Sequence, residues 1–228
     1  MALSGTETRS SSVHAQLRDD VLRGLLVPGQ RLRLVELAER FSVSQSVVRE
    51  ALTRLAEQGL AVTVPQQGYW VTPLTLKDLD ELTEARTQLE TLVIRQAIER
   101  GDIGWESSVV AAHHQMSNTP KIRADGDLNG TWFAAHELFH QNTLRGCGNG
   151  RLFEVATSLR DAASLYRWWS RPLGHDYDRD VDAEHRQLLD AVLARDQQAA
   201  ADVLARHIRR TSDALRNAAE DPTGVAAT

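Results

Sequence analysis

The sequence has few cysteines and no long apolar run. Its single Cys147 excludes an intrachain disulfide and a metal site built from several cysteines, and it fits a reducing compartment. No apolar stretch approaches the roughly 20 residues that span a bilayer, and the N-terminus lacks the apolar core of a signal peptide. We therefore expect a cytoplasmic protein with no membrane partner.

Basic charge is scarce overall but locally concentrated. The net charge is -5, and the 26 basic residues include only two lysines, Lys77 and Lys121. Between residues 21 and 54, however, six arginines stand against three glutamates: Arg23, Arg31, Arg33, Arg40, Arg49 and Arg54 against Glu36, Glu39 and Glu50. Contacts to DNA phosphates need such a local patch and not a basic protein.

Residues 34–59 combine two predicted helices with a tight turn. Residues 34–40 form a short helical pattern, and Ser44 then stands where it can cap a second, amphipathic helix. Apolar residues at 48, 52 and 55 give this helix a core stripe, which leaves Gln45, Ser46 and Arg49 pointing outward. Two helices joined in this way form a helix-turn-helix, a DNA-binding motif.

The pattern after Gly59 changes from helical to alternating. Residues 60–64 and 69–71 read as two strands, joined by a turn over 65–68. This hairpin predicts the wing of a winged helix-turn-helix domain over residues 12–73, with Gly68 bringing the wing backbone close to DNA.

Residues 74–220 carry helical patterns only. Thr75 and Asp78 are spaced as a capping box for a first long helix, which Gly101 ends. The chain, of a mainly α class, should therefore continue as an all-helical bundle of about six helices. The polar ends, residues 1–11 and 221–228, are predicted to be disordered.

Four histidines of the second region form a candidate metal site. His136 and His140 are four residues apart and share one face of a helix, while His185 and His207 lie on the last two predicted helices. Four imidazoles suit zinc, nickel, cobalt or iron far better than magnesium or calcium. Spacing alone leaves open an ordinary surface or core role.

The first region carries the marks of a known family. They are Pro28-Gly29-Gln30-Arg31-Leu32, Glu36-Leu37-Ala38, Val43-Ser44, Val48-Arg49-Glu50-Ala51-Leu52, Leu55, Gly59-Leu60 and Gly68. Residues 13–72 thus resemble the DNA-binding domain of the GntR family of bacterial transcription regulators. Two features depart from that family: Gln45 and Val47 stand where it usually has Arg and Pro, and Gln66-Gln67 stand in a wing that is often basic.

The second region also resembles a known domain. Its marks are Glu84-Ala85-Arg86-Thr87-Gln88-Leu89-Glu90, Phe139-His140, Asn149, Leu152, Glu184-His185, Leu188, Leu189, Ala191 and His207. Residues 75–219 look like the FCD ligand-binding domain of one GntR branch. Many members hold a divalent metal through an Asp and three His, matching positions 136, 140, 185 and 207, with His136 here in the Asp position. The resemblance implies a metal site, with zinc as the first choice.

The resemblance also implies an effector pocket. An Arg on the first helix of this domain faces the pocket in the family, and Arg86 matches it. A guanidinium beside a metal ion is a receptor for a small carboxylate, although an ion pair is an alternative role. Arg160 is a second candidate, and Asn149 is either a pocket residue or the cap of the helix that starts near Gly150.

These features predict a metabolite-responsive repressor. A homodimer should bind double-stranded DNA at an inverted repeat and leave it when a small carboxylate binds. Because an amide suits adenine, Gln45 should favour adenine where an Arg would favour guanine. The predicted DNA-binding residues are Arg33, Ser44, Gln45, Ser46, Arg49, Arg54 and Gly68.

Two alternatives stay open at this point. One is a metal-dependent hydrolase or lyase with Glu137 or Glu184 as general base. Each directly adjoins a proposed ligand, so on a helix each should project about 100° away from it. The other alternative is a regulator without metal, in which the histidines hydrogen-bond an organic ligand directly.

Overall fold

The computed structural model describes residues 8–124, 129–169 and 180–220. The chain divides into two compact units. Of the described residues, 8–79 and 161–169 belong to the first unit, and 80–160 and 180–220 belong to the second.

The first unit begins with three helices: α1 (Arg9–Leu22), α2 (Leu34–Phe41) and α3 (Gln45–Glu57). Helix α1 starts at Arg9 because the Thr8 side chain accepts a hydrogen bond from the Ser11 amide at 3.2 Å. Ser10 is buried. The predicted disorder over residues 1–11 is therefore wrong for 9–11, and residues 1–7 lie outside the described residues.

A small antiparallel sheet completes the winged domain. Strands β1 (Arg31–Leu32), β2 (Ala61–Val64) and β3 (Gly68–Val71) lie in the order β1-β3-β2. The β2–β3 hairpin is the predicted wing. Its turn places Gln66 at φ 63° and Gly68 at φ 93°, a region that favours glycine. Strand β1 was not predicted, because two residues are too short to show an alternating pattern.

The predicted core stripe of α3 is confirmed. Val48, Leu52 and Leu55 are fully buried, and each such side chain contributes about 1.5–3 kcal/mol by leaving water. Leu165, near the end of a later helix, is buried in the same core. The predicted domain boundary between residues 73 and 74 therefore leaves out Leu165, which belongs to the core of the first unit.

Six further helices follow in the described residues. They are α4 (Leu76–Arg100), α5 (Ile103–Ser117), α6 (Gly130–Arg145), α7 (Gly150–Trp169), α8 (Val181–Leu193) and α9 (Gln197–Glu220). The helical bundle is thus as predicted, while residues 221–228 lie outside the described residues. No helix in the described part of the chain is long and apolar enough to cross a membrane.

Helix α4 ends before Gly101 as predicted, whereas the predicted capping box at its start is only half formed. The Thr75 hydroxyl accepts from the Asp78 amide at 3.1 Å, while the Asp78 carboxylate accepts from the Tyr166 hydroxyl at 2.6 Å instead of closing the box. At the other end, Gly101 is required by close approach, because a Cβ there would lie 2.1 Å from the Trp105 ring. The Trp105 indole in turn donates to the Asn142 carbonyl at 2.7 Å, which fixes α5 against α6.

Candidate DNA surface and metal centre

The start of α3 presents a polar surface. Gln45, Ser46 and Arg49 are exposed, as predicted. Together with residues 31–36 and the wing residues 63–69, Gln45 and Arg49 line an open groove of about 900 Å³. Arg49 makes no ion pair within the described residues, so its charge is available to a phosphate or a base.

Hydrogen bonds hold the wing against α3. The Tyr69 hydroxyl on β3 lies 2.9 Å from the Thr53 hydroxyl, which donates to the Arg49 carbonyl at 2.9 Å. Arg31 donates to the Gln67 carbonyl at the wing tip, at 2.9 Å. These bonds fix the spacing between the wing and the exposed face of α3.

The remaining DNA candidates differ in exposure. Ser44 takes the N-cap position, but its hydroxyl pairs with the Ser46 hydroxyl at 2.8 Å and not with a backbone amide, so the expected side-chain cap is not formed. Arg33 is exposed and pairs with Glu36 at 3.0 Å. Arg54 is half-buried and donates to the Ser11 hydroxyl on α1 at 3.2 Å. Arg33 lines the groove, whereas Arg54 is not among its lining residues.

The four predicted histidines meet in the second unit. His136 and His140 come from α6, His185 from α8 and His207 from α9, and all four are buried. One ring nitrogen of each lies within 4.8 Å of those of the others. The Nε2 atoms of His140 and His185 are 3.2 Å apart.

The donor set fits a divalent transition ion. Two nitrogens about 2.1 Å from one ion stand about 3.0–3.4 Å apart at angles of 90–109°, and the 3.2 Å separation of His140 and His185 agrees with this. The Nδ1 atoms of His140 and His185 are buried without a hydrogen-bond partner in the described residues.

Burial keeps the rings of His140 and His185 neutral. Desolvation, followed by the charge of Arg160 and of the neighbouring histidines, holds the pKa of His140 well below its usual value. Desolvation and the neighbouring histidines also lower the pKa of His185. Metal binding requires neutral imidazole, so both rings are in the ligating form at neutral pH.

Two carboxylates contact the outer nitrogens of the cluster. Glu137 Oε1 lies 3.2 Å from His136 Nδ1, and Glu184 Oε2 lies 2.8 Å from His207 Nδ1. The expectation that each glutamate projects away from its adjacent histidine was wrong for Glu137 but not for Glu184. The flexible Glu137 side chain reaches its own neighbour, and Glu184 reaches across to α9 instead of to the adjacent His185.

A buried ion-pair network adjoins this cluster. Glu90 is fully buried between Arg86, whose Nε donates at 2.7 Å, and Arg160, whose Nη1 donates at 2.8 Å. Burial alone would raise the pKa of the Glu90 carboxyl, but the two guanidinium groups outweigh it and hold that pKa below its usual value. Sequence reasoning missed the role of Glu90, although its position four residues after Arg86 was a usable signal.

Arg160 joins the network to the histidines. Its Nη2 donates to Glu137 Oε2 at 3.2 Å, and Glu137 in turn contacts His136. Desolvation opposes the charge of Arg160, but Glu137 and Glu90 outweigh it and raise the pKa of its guanidinium. Arg86 and Arg160 are therefore balanced by two carboxylates.

The three effector candidates separate in the structure. Arg86 uses its Nε on Glu90, and its two terminal nitrogens make no hydrogen bond to the described residues. Asn149 is exposed, and its side chain accepts from the Arg151 and Leu152 amides at 3.1 and 3.2 Å, so it caps α7. Eleven residues of helix, about 16 Å, separate Asn149 from Arg160. Of its two predicted roles, Asn149 therefore has that of a helix cap. Arg86 and Arg160 belong to the same ion-pair network.

Comparison with known proteins now gives the family. The family model described as "Bacterial regulatory proteins, gntR family" matches residues 9–71, and the FCD domain model matches residues 81–210. The chain belongs to the GntR family. The HTH-type transcriptional repressor GlaR of Escherichia coli (strain K12) is 32% identical over 195 residues, which cover 84% of this chain and 89% of that protein.

Other relatives agree with this family assignment. The uncharacterized regulator BphR of Paraburkholderia xenovorans (strain LB400) is 32% identical over 207 residues, with 88% of this chain and 82% of that protein covered. The solved structure of E. coli McbR/YncC has the same fold, with a TM-score of 0.77 at 22% identity over 92% of this chain and 97% of that one. The GntR-family chain is a DNA-binding transcription regulator and not a hydrolase or lyase.

Proposed function

We propose that this GntR-family regulator is a repressor that a small carboxylate releases from its operator. In this proposal His136, His140, His185 and His207 hold a divalent ion, zinc in the first place and nickel, cobalt or iron as alternatives, and the carboxylate bridges that ion and Arg86. The observation that carries it is the meeting of four buried imidazoles within 4.8 Å.

The charge of the site favours an anionic effector. Arg86 and Arg160 are already balanced by Glu90 and Glu137, so neither arginine supplies an unpaired charge. Four neutral imidazoles, in contrast, leave a divalent ion uncompensated, and burying such a charge is expensive. Carboxylate oxygens can fill open positions on the ion while the terminal nitrogens of Arg86 orient the ligand.

The DNA side of the proposal rests on exposure at the start of α3. Gln45, Ser46 and Arg49 contact bases or phosphates in the major groove, and Gly68 lets the wing backbone approach the minor groove. One recognition helix covers few base pairs, so we propose a homodimer on an inverted repeat. An effector switches this dimer only if it binds the DNA-free conformation more tightly than the DNA-bound one.

Calorimetry and DNA-release titrations test the effector mechanism. Mono-, di- and tricarboxylates and a neutral polyol of similar size are titrated into the zinc-loaded protein, its Arg86→Ala variant and the control Arg95→Ala. Arg95 lies on the same helix and donates to Gln198 at 3.2 Å. We expect one carboxylate to release DNA from the wild type and Arg95→Ala and to act at least about tenfold more weakly on Arg86→Ala. A neutral effector, or equal release from Arg86→Ala, contradicts the proposal.

A regulator without metal is the second candidate. The 3.2 Å separation between the Nε2 atoms of His140 and His185 is also that of a hydrogen bond between two imidazoles. Elemental analysis of protein purified without added metal or chelating resin separates the two. A stoichiometric transition metal supports the metal site, and its absence together with no zinc uptake on titration supports the metal-free form.

A further inference from the structure

We infer that Glu137 and Glu184 are positioning residues of the metal centre, each fixing one histidine with its Nε2 toward the ion. The inference rests on the proposed metal site and adds residues that touch the ligands without binding the ion themselves. It is carried by the hydrogen bonds around His136 and His207.

The two glutamates use their oxygens in the same way. One oxygen of Glu137 faces His136 Nδ1 at 3.2 Å, and the other accepts from Arg160 at 3.2 Å. One oxygen of Glu184 faces His207 Nδ1 at 2.8 Å, and the other accepts from Arg210 at 3.2 Å. Two Arg–Glu–His chains therefore reach the cluster.

An ionised carboxylate accepts hydrogen bonds and donates none. The Nδ1 of each contacted imidazole must therefore carry the proton, and because a neutral ring has one N–H, the lone pair stands on Nε2. That is the atom left to face an ion. The carboxylate also makes the ring a better donor to the metal and restricts its rotation.

His140 and His185 lack such a support. Their Nε2 atoms face each other, and their Nδ1 atoms have no hydrogen-bond partner in the described residues. The cluster thus consists of two rings whose Nδ1 atoms face carboxylates and two rings, each about 1% exposed, whose Nδ1 atoms have no such partner. The hydrogen bonds to Glu137 and Glu184 thus set the tautomers of His136 and His207 before an ion binds.

The Glu–His contacts of the two Arg–Glu–His chains differ in length. The Glu184 to His207 contact, at 2.8 Å, is 0.4 Å shorter than the Glu137 to His136 contact, at 3.2 Å. Glu184 is also 7% exposed, which leaves little water to replace the lost partner. Loss of Glu184 should therefore weaken metal binding more than loss of Glu137.

Zinc competition against a chromophoric chelator tests the inference on the full chain. The variants are Glu184→Ala, Glu184→Gln, Glu137→Ala and Glu137→Gln, and the control is Glu154→Ala, whose side chain is 68% exposed. Removal of such a partner typically costs 10–100-fold in metal affinity, and we expect that loss for the Ala variants. The Gln variants should recover part of it, because an amide oxygen still accepts from Nδ1–H.

Visible absorption of the cobalt-substituted protein gives a readout that a loss of stability alone would not change. We expect its ligand-field bands to shift in Glu184→Ala and to stay as in the wild type in Glu154→Ala. If Glu184→Ala does not fold, Glu184→Gln decides through the same two measurements.

The outcomes separate the inference from the metal site. A wild type that takes up neither zinc nor cobalt removes the proposed metal site and this inference with it. A wild type that binds zinc, with all four Glu variants within about twofold of it and unchanged cobalt bands, leaves the metal site standing and overturns the positioning role. An equal loss in Glu154→Ala overturns it as well.

Discussion

The two units carry their proposed functional side chains in opposite ways. In the first, Gln45, Ser46 and Arg49 stand exposed at the start of one helix. In the second, the histidines, arginines and glutamates are buried or half-buried, come from five helices, and are linked by hydrogen bonds and ion pairs. A surface that binds DNA needs side chains that are free to contact it. The polar groups of a buried ligand site, in contrast, must have hydrogen-bond partners within the protein.

This difference affects how each unit responds to mutation. Exposed side chains with no buried partner can be exchanged with little effect on the stability of the fold. Members of one buried network share partners, so removing one changes the burial cost of the next. Arg86, Glu90, Arg160 and Glu137 form such a network, and it continues to His136.

The largest effect should come from Glu90→Gln. The change leaves the shape nearly intact but removes the charge that faces Arg86 and Arg160, and breaking a buried ion pair costs about 3–5 kcal/mol. Urea unfolding followed by circular dichroism measures the loss. The control Glu99→Gln, at a position with a 62% exposed side chain, should stay within about 0.5 kcal/mol of the wild type. Equal midpoints for the two variants would show that the network does not stabilise the second unit.

The next largest effect concerns the metal. Single His→Ala variants at 140, 185 and 207 should each lower zinc affinity by about 100-fold or more, beyond the usual effect of an outer partner. His136→Ala should lose less, because the other three ligands still define one face of the coordination sphere. Elemental analysis after dialysis gives the order. Full occupancy in all four variants would rule the cluster out as a metal site.

Sequence reasoning succeeded where the signal was local. The stripe of Val48, Leu52 and Leu55 fixed which face of α3 is buried, and thus which residues are exposed. The i, i+4 spacing placed His136 and His140 on one face, the helical pattern placed His185 and His207 on the last two helices, and the family resemblance joined the four as one metal site. Each of these predictions depends on residues within one helix or on a pattern shared with related proteins.

The partners of these residues could not be found in the same way. Glu184 pairs with His207 across 23 residues, and Arg160 with Glu90 across 70. Such pairs depend on which helices pack together, and periodicity within one helix does not report that. Arg54 illustrates the same point in the first unit, since its contact to Ser11 reaches back 43 residues to α1.

A smaller effect should follow changes at the exposed end of α3. Arg49→Ala should weaken operator binding by about 1–3 kcal/mol, and Gln45→Arg should move the preferred base from adenine to guanine. Zinc affinity and urea midpoints should stay unchanged in both, because neither side chain is buried. Selection of binding sites from random DNA measures the preference. A guanine preference in the wild type that persists in Gln45→Ala contradicts the assignment of Gln45.

The smallest effect on DNA binding is expected for Arg54. Its side chain is bound within the protein, like the side chains of the buried network in the second unit. Its half-buried side chain is bound to Ser11, so Arg54→Ala should lower stability by about 0.5–1.5 kcal/mol, the value of one hydrogen bond, and leave operator affinity within about twofold. Arg33→Ala is the matched comparison, because Arg33 is 61% exposed and lines the groove. It should keep its stability and reduce the salt dependence of DNA binding by about one phosphate contact. A lower salt slope in Arg54→Ala, with the slope of Arg33→Ala unchanged, would reverse these two assignments and make Arg54 the residue that reaches DNA.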